Sequence, residues 1–339
     1  MSPSCWKPAV LAVFVPLVPL FAQQQNPAGV FDVDSVLPVT LTVNIKAIKK
    51  DRGSQRPYHR GSLTYDEAGS PTTLPVQVRT RGIYRLKNCS FPPLRLNFSK
   101  SRIKNTIFGK HDKPKLVTHC EESDDYEQYL LQEYAIYEVY NLLTPLSLRA
   151  RLARVTYVDS ATAQPATTRF GILLEEEASM AERNGGKVHA VQGARGDDLD
   201  PLQTAIFAVF QFMIGNTDWS VSALHNVQLV QAAAAVHPVA YDFDWTGVIG
   251  TRYAKPDPQL GMKSVKERVY RGYCVSPEMF SQVLQLFNEK KEAIYAVYRR
   301  IPSLNPQHLE RTHKYFDEFY DIIGNARRAK SAMADQCRS

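Results

Sequence analysis

Gly215-Asn216-Thr217-Asp218-Trp219, then His225-Asn226, then Tyr241-Asp242-Phe243-Asp244-Trp245 are the stretches on which the fold turns. Upstream, Leu202 to Ile214 is apolar enough for a buried helix. Between the stretches, Asn226–Val230 and Val236–Tyr241 have the composition of two strands. Asp218 then lies in the loop between helix and strand, and Asp242 and Asp244 follow the second strand. A two-stranded hairpin would bring Asp218, Asn226 and Asp242 to one end. Three oxygen donors gathered there suit a hard divalent ion, magnesium or manganese. Alone, Asp218 reads as a cap and Asp242 as an ion-paired strand end. As an ordered set flanked by Trp219 and Trp245, they have the succession that phosphoryl transfer uses. An aspartate orients the attacking hydroxyl, an asparagine holds metal, and an aspartate beyond a hairpin holds metal on the phosphates.

Before this centre, residues 38–119 read mainly as strands. Val39–Ile45 alternates apolar and polar side chains, and Leu63–Tyr65, Leu74–Arg79, Leu94–Phe98 and Lys115–His119 follow. A helix is expected from about Tyr126 to Leu143, ended by Thr144-Pro145. Its stripe of Tyr129, Tyr134, Tyr137 and Tyr140 reads as a packed face. Strands over Arg154–Val158 and Arg169–Leu174 come next. After the centre, Thr246 to Pro277 is loop-rich, and helices are expected at 277–288, 290–300 and 306–329. The class is α+β. The length favours two lobes: a β-rich N-lobe with one long helix (23–180) and a mainly helical C-lobe carrying the acidic centre (181–339).

The pattern Asn-x-Asp, then His-Asn, then Asp-x-Asp-Trp resembles the spore-coat protein H (CotH) kinase family. More distantly, the asparagine–aspartate loop is similar to that of HipA-type kinases. Arg81-Gly82 followed by Phe91-Pro92-Pro93-Leu94-Arg95-Leu96 resembles the family's Arg-Gly turn and basic strand. Gly171 to Glu176 resembles its strand ending in a glutamate near the hinge, here Glu175, which the resemblance sets at the nucleotide. The resemblance spans roughly residues 74–250. It implies a two-lobed atypical protein-kinase-like fold and transfer of a phosphoryl group from ATP, with Mg2+, to a protein hydroxyl. By position it makes Asp218 catalytic, Asn226 and Asp242 metal ligands, and Asp244 a second acidic group counted with them at the metal.

Departures from that pattern bear on the nucleotide. Ile83-Tyr84-Arg85 stands where small polar residues are usual, Pro92-Pro93 replaces a basic pair, and no Gly-x-Gly-x-x-Gly loop exists. The cation that grips the nucleotide is therefore open: Lys115 with Glu133 on the following helix as partner, or Arg81 or Arg95. Arg268, Arg271 and Tyr273 sit where a substrate segment would lie. Two other readings stand beside the kinase. One is a catalytically inactive kinase-like binding or scaffold protein. The other is a metal-dependent hydrolase built on Asp218, His225, Asp242 and Asp244.

The first residues set the expected compartment. Lys7, the apolar run to Ala22 and the polar Gln23-Gln24-Gln25 describe a signal peptide over 1–22, too short and proline-interrupted to span a bilayer. A secreted or periplasmic protein is expected, the alternative being an anchor left uncleaved. No later segment suits a membrane span. Losing Lys7 takes the formal charge from +7 to +6. The basic residues form no stripe interleaved with aromatics, which argues against nucleic acid. Cys89, Cys120, Cys274 and Cys337 remain, enough for two disulfides, with Cys89–Cys120 the favoured pair.

Overall fold

The computed structural model describes Met1 and residues 28–67, 69–162 and 167–338, so the expected signal peptide lies outside the described residues. The chain is mixed α and β. It begins with β1 (Leu37–Val43), α1 (Ile45–Lys50), β2 (His59–Glu67), β3 (Ser70–Thr80), α2 (Tyr84–Asn88), β4 (Leu94–Phe98), α3 (Lys100–Ile103) and β5 (Lys115–Val117). The long helix α4 (Asp124–Leu143) follows, then β6 (Ala150–Asp159) and β7 (Thr167–Leu174). Among the described residues these seven strands close a barrel in the order β1-β2-β3-β4-β5-β7-β6, sealed by the parallel pairing of β6 with β1.

Alternation explains the barrel. Leu37, Val39, Leu41 and Val43 point inward from β1 and meet Val76, Val78, Leu94, Leu96, Phe98 and Leu116 in one apolar cluster. Each such side chain contributes about 1.5–3 kcal/mol by leaving water. The other face of β6 and β7, with Leu152, Phe170, Ile172 and Leu174, belongs to a second and larger core. That core is shared by α4 and by the helices that follow it in sequence, α6 (Pro201–Ile214), α7 (Pro277–Arg300) and α8 (Pro306–Ile323), after the shorter α5 (Glu177–Arg183). The apolar packing therefore does not divide at residue 180. The long helix, buried over most of its length, belongs wholly to this larger core, packed with strands β6 and β7 of the barrel as well as with the later helices.

Two helix boundaries differ from expectation. α7 runs unbroken through Asn288-Glu289-Lys290, because that segment holds no Gly or Pro and the Gln285–Glu289 hydrogen bond (2.8 Å) spans it. α8 stops at Ile323. Gly324 ends it, and the Asn325 side chain accepts from Arg328 N at 3.1 Å to cap α9 (Ala326–Ala332). The favoured Cys89–Cys120 disulfide is present, and the other two cysteines form a second, Cys274–Cys337. No helix among the described residues is long and apolar enough to cross a membrane.

Beyond β7, β8 (Gly186–His189), β9 (Val227–Ala232) and β10 (Ala235–Ala240) form a small sheet in the order β10-β9-β8. The antiparallel register of β9 and β10 places Val227 opposite Ala240. Tyr241 N donates to Asn226 O at 3.2 Å just past the strand ends.

A candidate active site between the barrel and the hairpin

The apolar helix α6 delivers the first site residue. Asp200 caps its start, accepting from Gln203 N at 2.7 Å, and Gly215 ends it with φ 64°. A side chain at Gly215 would also run into the Tyr315 hydroxyl, so turn and packing both favour glycine there. Asn216, 1% exposed, then fixes the loop. Its Nδ2 donates to Gln211 Oε1 (3.0 Å), its Oδ1 accepts from Asp218 N (3.0 Å), and its carbonyl accepts from Trp219 Nε1 (3.0 Å). Arg271 supports the same loop from outside, donating to Thr217 O and lying 5.1 Å over the Trp219 ring.

The carboxylate thus aimed is held by its neighbours. His225 Nε2 donates to Asp218 Oδ1 at 2.8 Å, and Asn226 Nδ2 donates to Asp218 Oδ2 at 3.0 Å and to its carbonyl at 2.7 Å. Asn226 and Asp242 both adopt left-handed backbone, with φ 52° and 64°. Asn and Asp tolerate this better than most residues, yet it is a conformation that surrounding structure must enforce. Asp242 is pinned by its N–H, which donates to the Tyr137 hydroxyl at 3.0 Å. The hairpin brings Asp218, Asn226 and Asp242 to one end, where they line a cleft of about 490 Å³ with Arg81, Arg85, Lys115 and Asp244.

Several expected pairings are rearranged. Lys115 does not meet Glu133. Strand β5 carries it beside the start of α5, and Lys115 Nζ bonds Glu177. The pair is unequal. Burial holds Lys115 below the ordinary lysine range, Glu177 opposing and Arg81 and Arg95 adding to it. Against the cost of burial, Lys115 still draws Glu177 below the usual carboxylate range. Glu133 is claimed by Arg85, whose Nη2 lies 2.5 Å from Oε2. Arg85 Nε donates to Asp244 Oδ2 at 2.9 Å, and Nη2 is 3.9 Å from Asp242 Oδ1. Burial works against the Arg85 charge, but Asp244 and Glu133 more than offset it and raise its pKa above the ordinary value. Burial, reinforced by Asp244 and Asp242 and opposed by Arg85, pushes Glu133 up to about 7.

Arg85 was not among the expected site residues. It stands on the five-residue helix α2, fastened by the Cys89–Cys120 disulfide and by Arg52, whose Nη1 donates to the carbonyls of Leu86 (2.5 Å) and Cys89 (2.6 Å). The signal for it was the departure Ile83-Tyr84-Arg85 itself. Glu175, expected at the nucleotide, is instead sealed at 1% exposure by Arg183 (2.9 Å), away from this cleft. Glu177 two residues on, and Tyr253, whose hydroxyl donates to Asp244 Oδ2 at 3.0 Å, were also missed. Arg95 lies outside the acidic cleft, 3.5 Å from Glu176.

A metal's donors follow from what these contacts leave free. Among the described residues, no group of three or more His, Cys, Asp or Glu side chains gathers as a cage. Asp244, expected as a ligand, is occupied by Arg85 and Tyr253. No hydrogen bond among the described residues reaches the Asp242 carboxylate or Asn226 Oδ1, and both residues line the cleft. Enclosure in the cleft, then the charges of Asp244 and Asp218, raise the Asp242 pKa, opposed by Arg85 and Arg81. A carboxylate and an amide oxygen fit magnesium, which is ordinarily held by one or two carboxylates, waters and substrate phosphates rather than an all-protein cage.

No protein-family model and no curated protein matches the chain. Among solved structures, the crystal structure of a Helicobacter pylori proinflammatory kinase, CtkA, is similar over 80% of this chain and 91% of that one, with 11% identity and a TM-score of 0.38. A likeness that slight leaves the reading of the site to its own geometry.

Proposed function

We propose that this chain is an exported phosphotransferase with a two-lobed kinase-like arrangement, the barrel lying over the helical part. It would move a phosphoryl group from ATP to a protein hydroxyl. One observation carries the reading: Asp218, Asn226 and Asp242, in that order along the chain, line one cleft together with the cations Arg81, Arg85 and Lys115. The two disulfides favour an oxidising compartment, secreted or periplasmic.

Each role follows from a contact. Asp218 Oδ1 and Oδ2 are held by His225 and Asn226, which leaves the carboxylate oriented to accept the proton of an acceptor hydroxyl. Asn226 Oδ1 and Asp242 would hold magnesium (or manganese), which when bound supplies charge neutralisation at phosphate oxygens. Lys115 and Arg81, which line the same cleft, would bind the phosphate chain. Arg85 orders the acidic side by fixing Asp244 and Glu133 in place. Catalysis would then be positioning and charge stabilisation. With ATP, magnesium and a generic protein acceptor, the parent should incorporate labelled phosphate, and Asp218→Asn should lower the rate by ~10²-fold or more. Equal rates in both would remove Asp218 from the chemistry.

A second reading has its own support. Lys115 is engaged by Glu177 and Asp244 by Arg85, so the charges a kinase turns on its nucleotide are partly spent within the protein. A binding protein of the same architecture would hold nucleotide without turnover, and labelled phosphate would never appear.

A further inference from the structure

Across the Lys115–Glu177 pair from the acidic cleft lies a second cavity of about 550 Å³, whose wall includes Arg56, Arg79, Arg81, Arg95, Lys115 and Glu177. Strand register explains how the cations come together. Arg79 on β3 stands directly opposite Arg95 on β4, and Arg95 stands directly opposite Lys115 on β5. Three like charges thus form a row across three adjacent strands, an arrangement that destabilises a sheet. Only Glu177 among the named wall residues is acidic, bound to Lys115 and 4.0 Å from Arg95, which Glu176 also reaches from outside at 3.5 Å. The remaining arginines find no carboxylate. Arg56 donates to Gly82 O at 3.1 Å, and Arg79 lies 4.7 Å over the Tyr58 ring. Arg81 Nε is buried with no acceptor.

A buried donor without a partner and a row of facing cations both cost stability in the empty protein. Both costs are relieved by one kind of ligand. We infer that this annex is a binding site for a phosphate-class oligoanion, two or more linked tetrahedral oxyanions, and that it holds its ligand independently of Asp242 and of any divalent metal. The size of the cavity, well beyond a single phosphate, and the spread of its charges over three strands and the 54–56 loop select an extended anion over a small one. Arginine suits such oxygens because its planar fork donates two parallel hydrogen bonds. The annex shares Arg81 and Lys115 with the nucleotide site proposed above, but the inference requires neither the metal nor phosphoryl transfer.

Inorganic pyrophosphate is the probe, titrated calorimetrically into the disulfide-intact protein in EDTA at fixed ionic strength. The parent should bind it saturably and unfold at a higher temperature in its presence. Arg79→Gln/Arg95→Gln should weaken binding at least tenfold, while without pyrophosphate it should be as stable as the parent or more so. Arg81→Gln, which removes no side-chain hydrogen bond among the described residues, should weaken binding in a protein that still folds. Asp242→Asn should bind pyrophosphate within twofold of the parent. Absence of saturable binding, binding unchanged in Arg81→Gln, or binding lost in Asp242→Asn would each overturn the assignment. ATP binding with magnesium is measured on Asp242→Asn separately, so either site can fail without the other.

Discussion

On one side of the Lys115–Glu177 pair, the acidic cleft settles most of its own charge. Arg85 stands between Glu133 and Asp244, Asp218 is gripped by His225 and Asn226, and Asp242 alone among these carboxylates is left without a hydrogen bond to its oxygens. On the other side, the annex sets arginine opposite arginine and leaves a guanidinium nitrogen buried without an acceptor. The difference separates scaffolding charge from charge available to a ligand. Where the protein supplies its own counter-ion, as at Arg85, the charge holds the fold. Where it does so only in part, as at Asp242, which meets Arg85 only at 3.9 Å, and along the Arg79–Arg95–Lys115 row, whose Arg79 has no carboxylate partner among the described residues, a ligand would relieve the charge left unbalanced.

The sharpest way to break this distinction is at its scaffolding end. Arg85→Met should destabilise by ~3–5 kcal/mol in urea unfolding, since it strands two buried carboxylates. A cost below ~1 kcal/mol would mean that Arg85 is available to ligand after all. Glu133 gives a pH-dependent version. Its pKa is raised above the unfolded value, so the stability it contributes is full below about 4.5 and is lost as pH rises through about 7. The cost of Glu133→Gln should therefore shrink by ~2–3 kcal/mol between pH 5 and pH 8, read from urea midpoints. Burial dominates that shift, and an unchanging cost would say that Arg85 fully offsets it. On the annex side the sign reverses: Arg95→Gln should stabilise the ligand-free protein by ~0.2–1 kcal/mol through removal of the facing charge. Smallest of all, Asp242→Asn should be neutral or stabilising within ~0.5 kcal/mol in thermal unfolding without ligand, as expected of a carboxylate that makes no bond the fold needs.

Much of the site's chain order was legible because it is local. The helix stop at Gly215 and the β9–β10 hairpin are encoded within a few residues of Asp218, Asn226 and Asp242, and their convergence follows from hairpin geometry. The number of disulfides and the Cys89–Cys120 pair were legible from cysteine count and placement. What was not legible is long-range. Lys115 meets Glu177 instead of Glu133 because barrel closure sets β5 beside β7 and so beside the start of α5, a pairing across 62 residues. Arg85 bonds Asp244 across 159 residues from a helix too short to show any periodicity. The annex was foreshadowed only as rival candidates, Arg81, Arg95 and Lys115. Cross-strand register turns the rivals into neighbours, and register between strands joined by long connections is not written in either strand alone.

The central claim is that Asp242 and Asn226 complete a metal-dependent nucleotide site, and calorimetric titration of ATP tests it most directly. The disulfide-intact parent should bind ATP in magnesium and lose that binding in EDTA. Asp242→Asn, with an unchanged unfolding transition, should not bind in either buffer. Binding by Asp242→Asn equal to that of the parent, or parent binding indifferent to magnesium, would contradict the account.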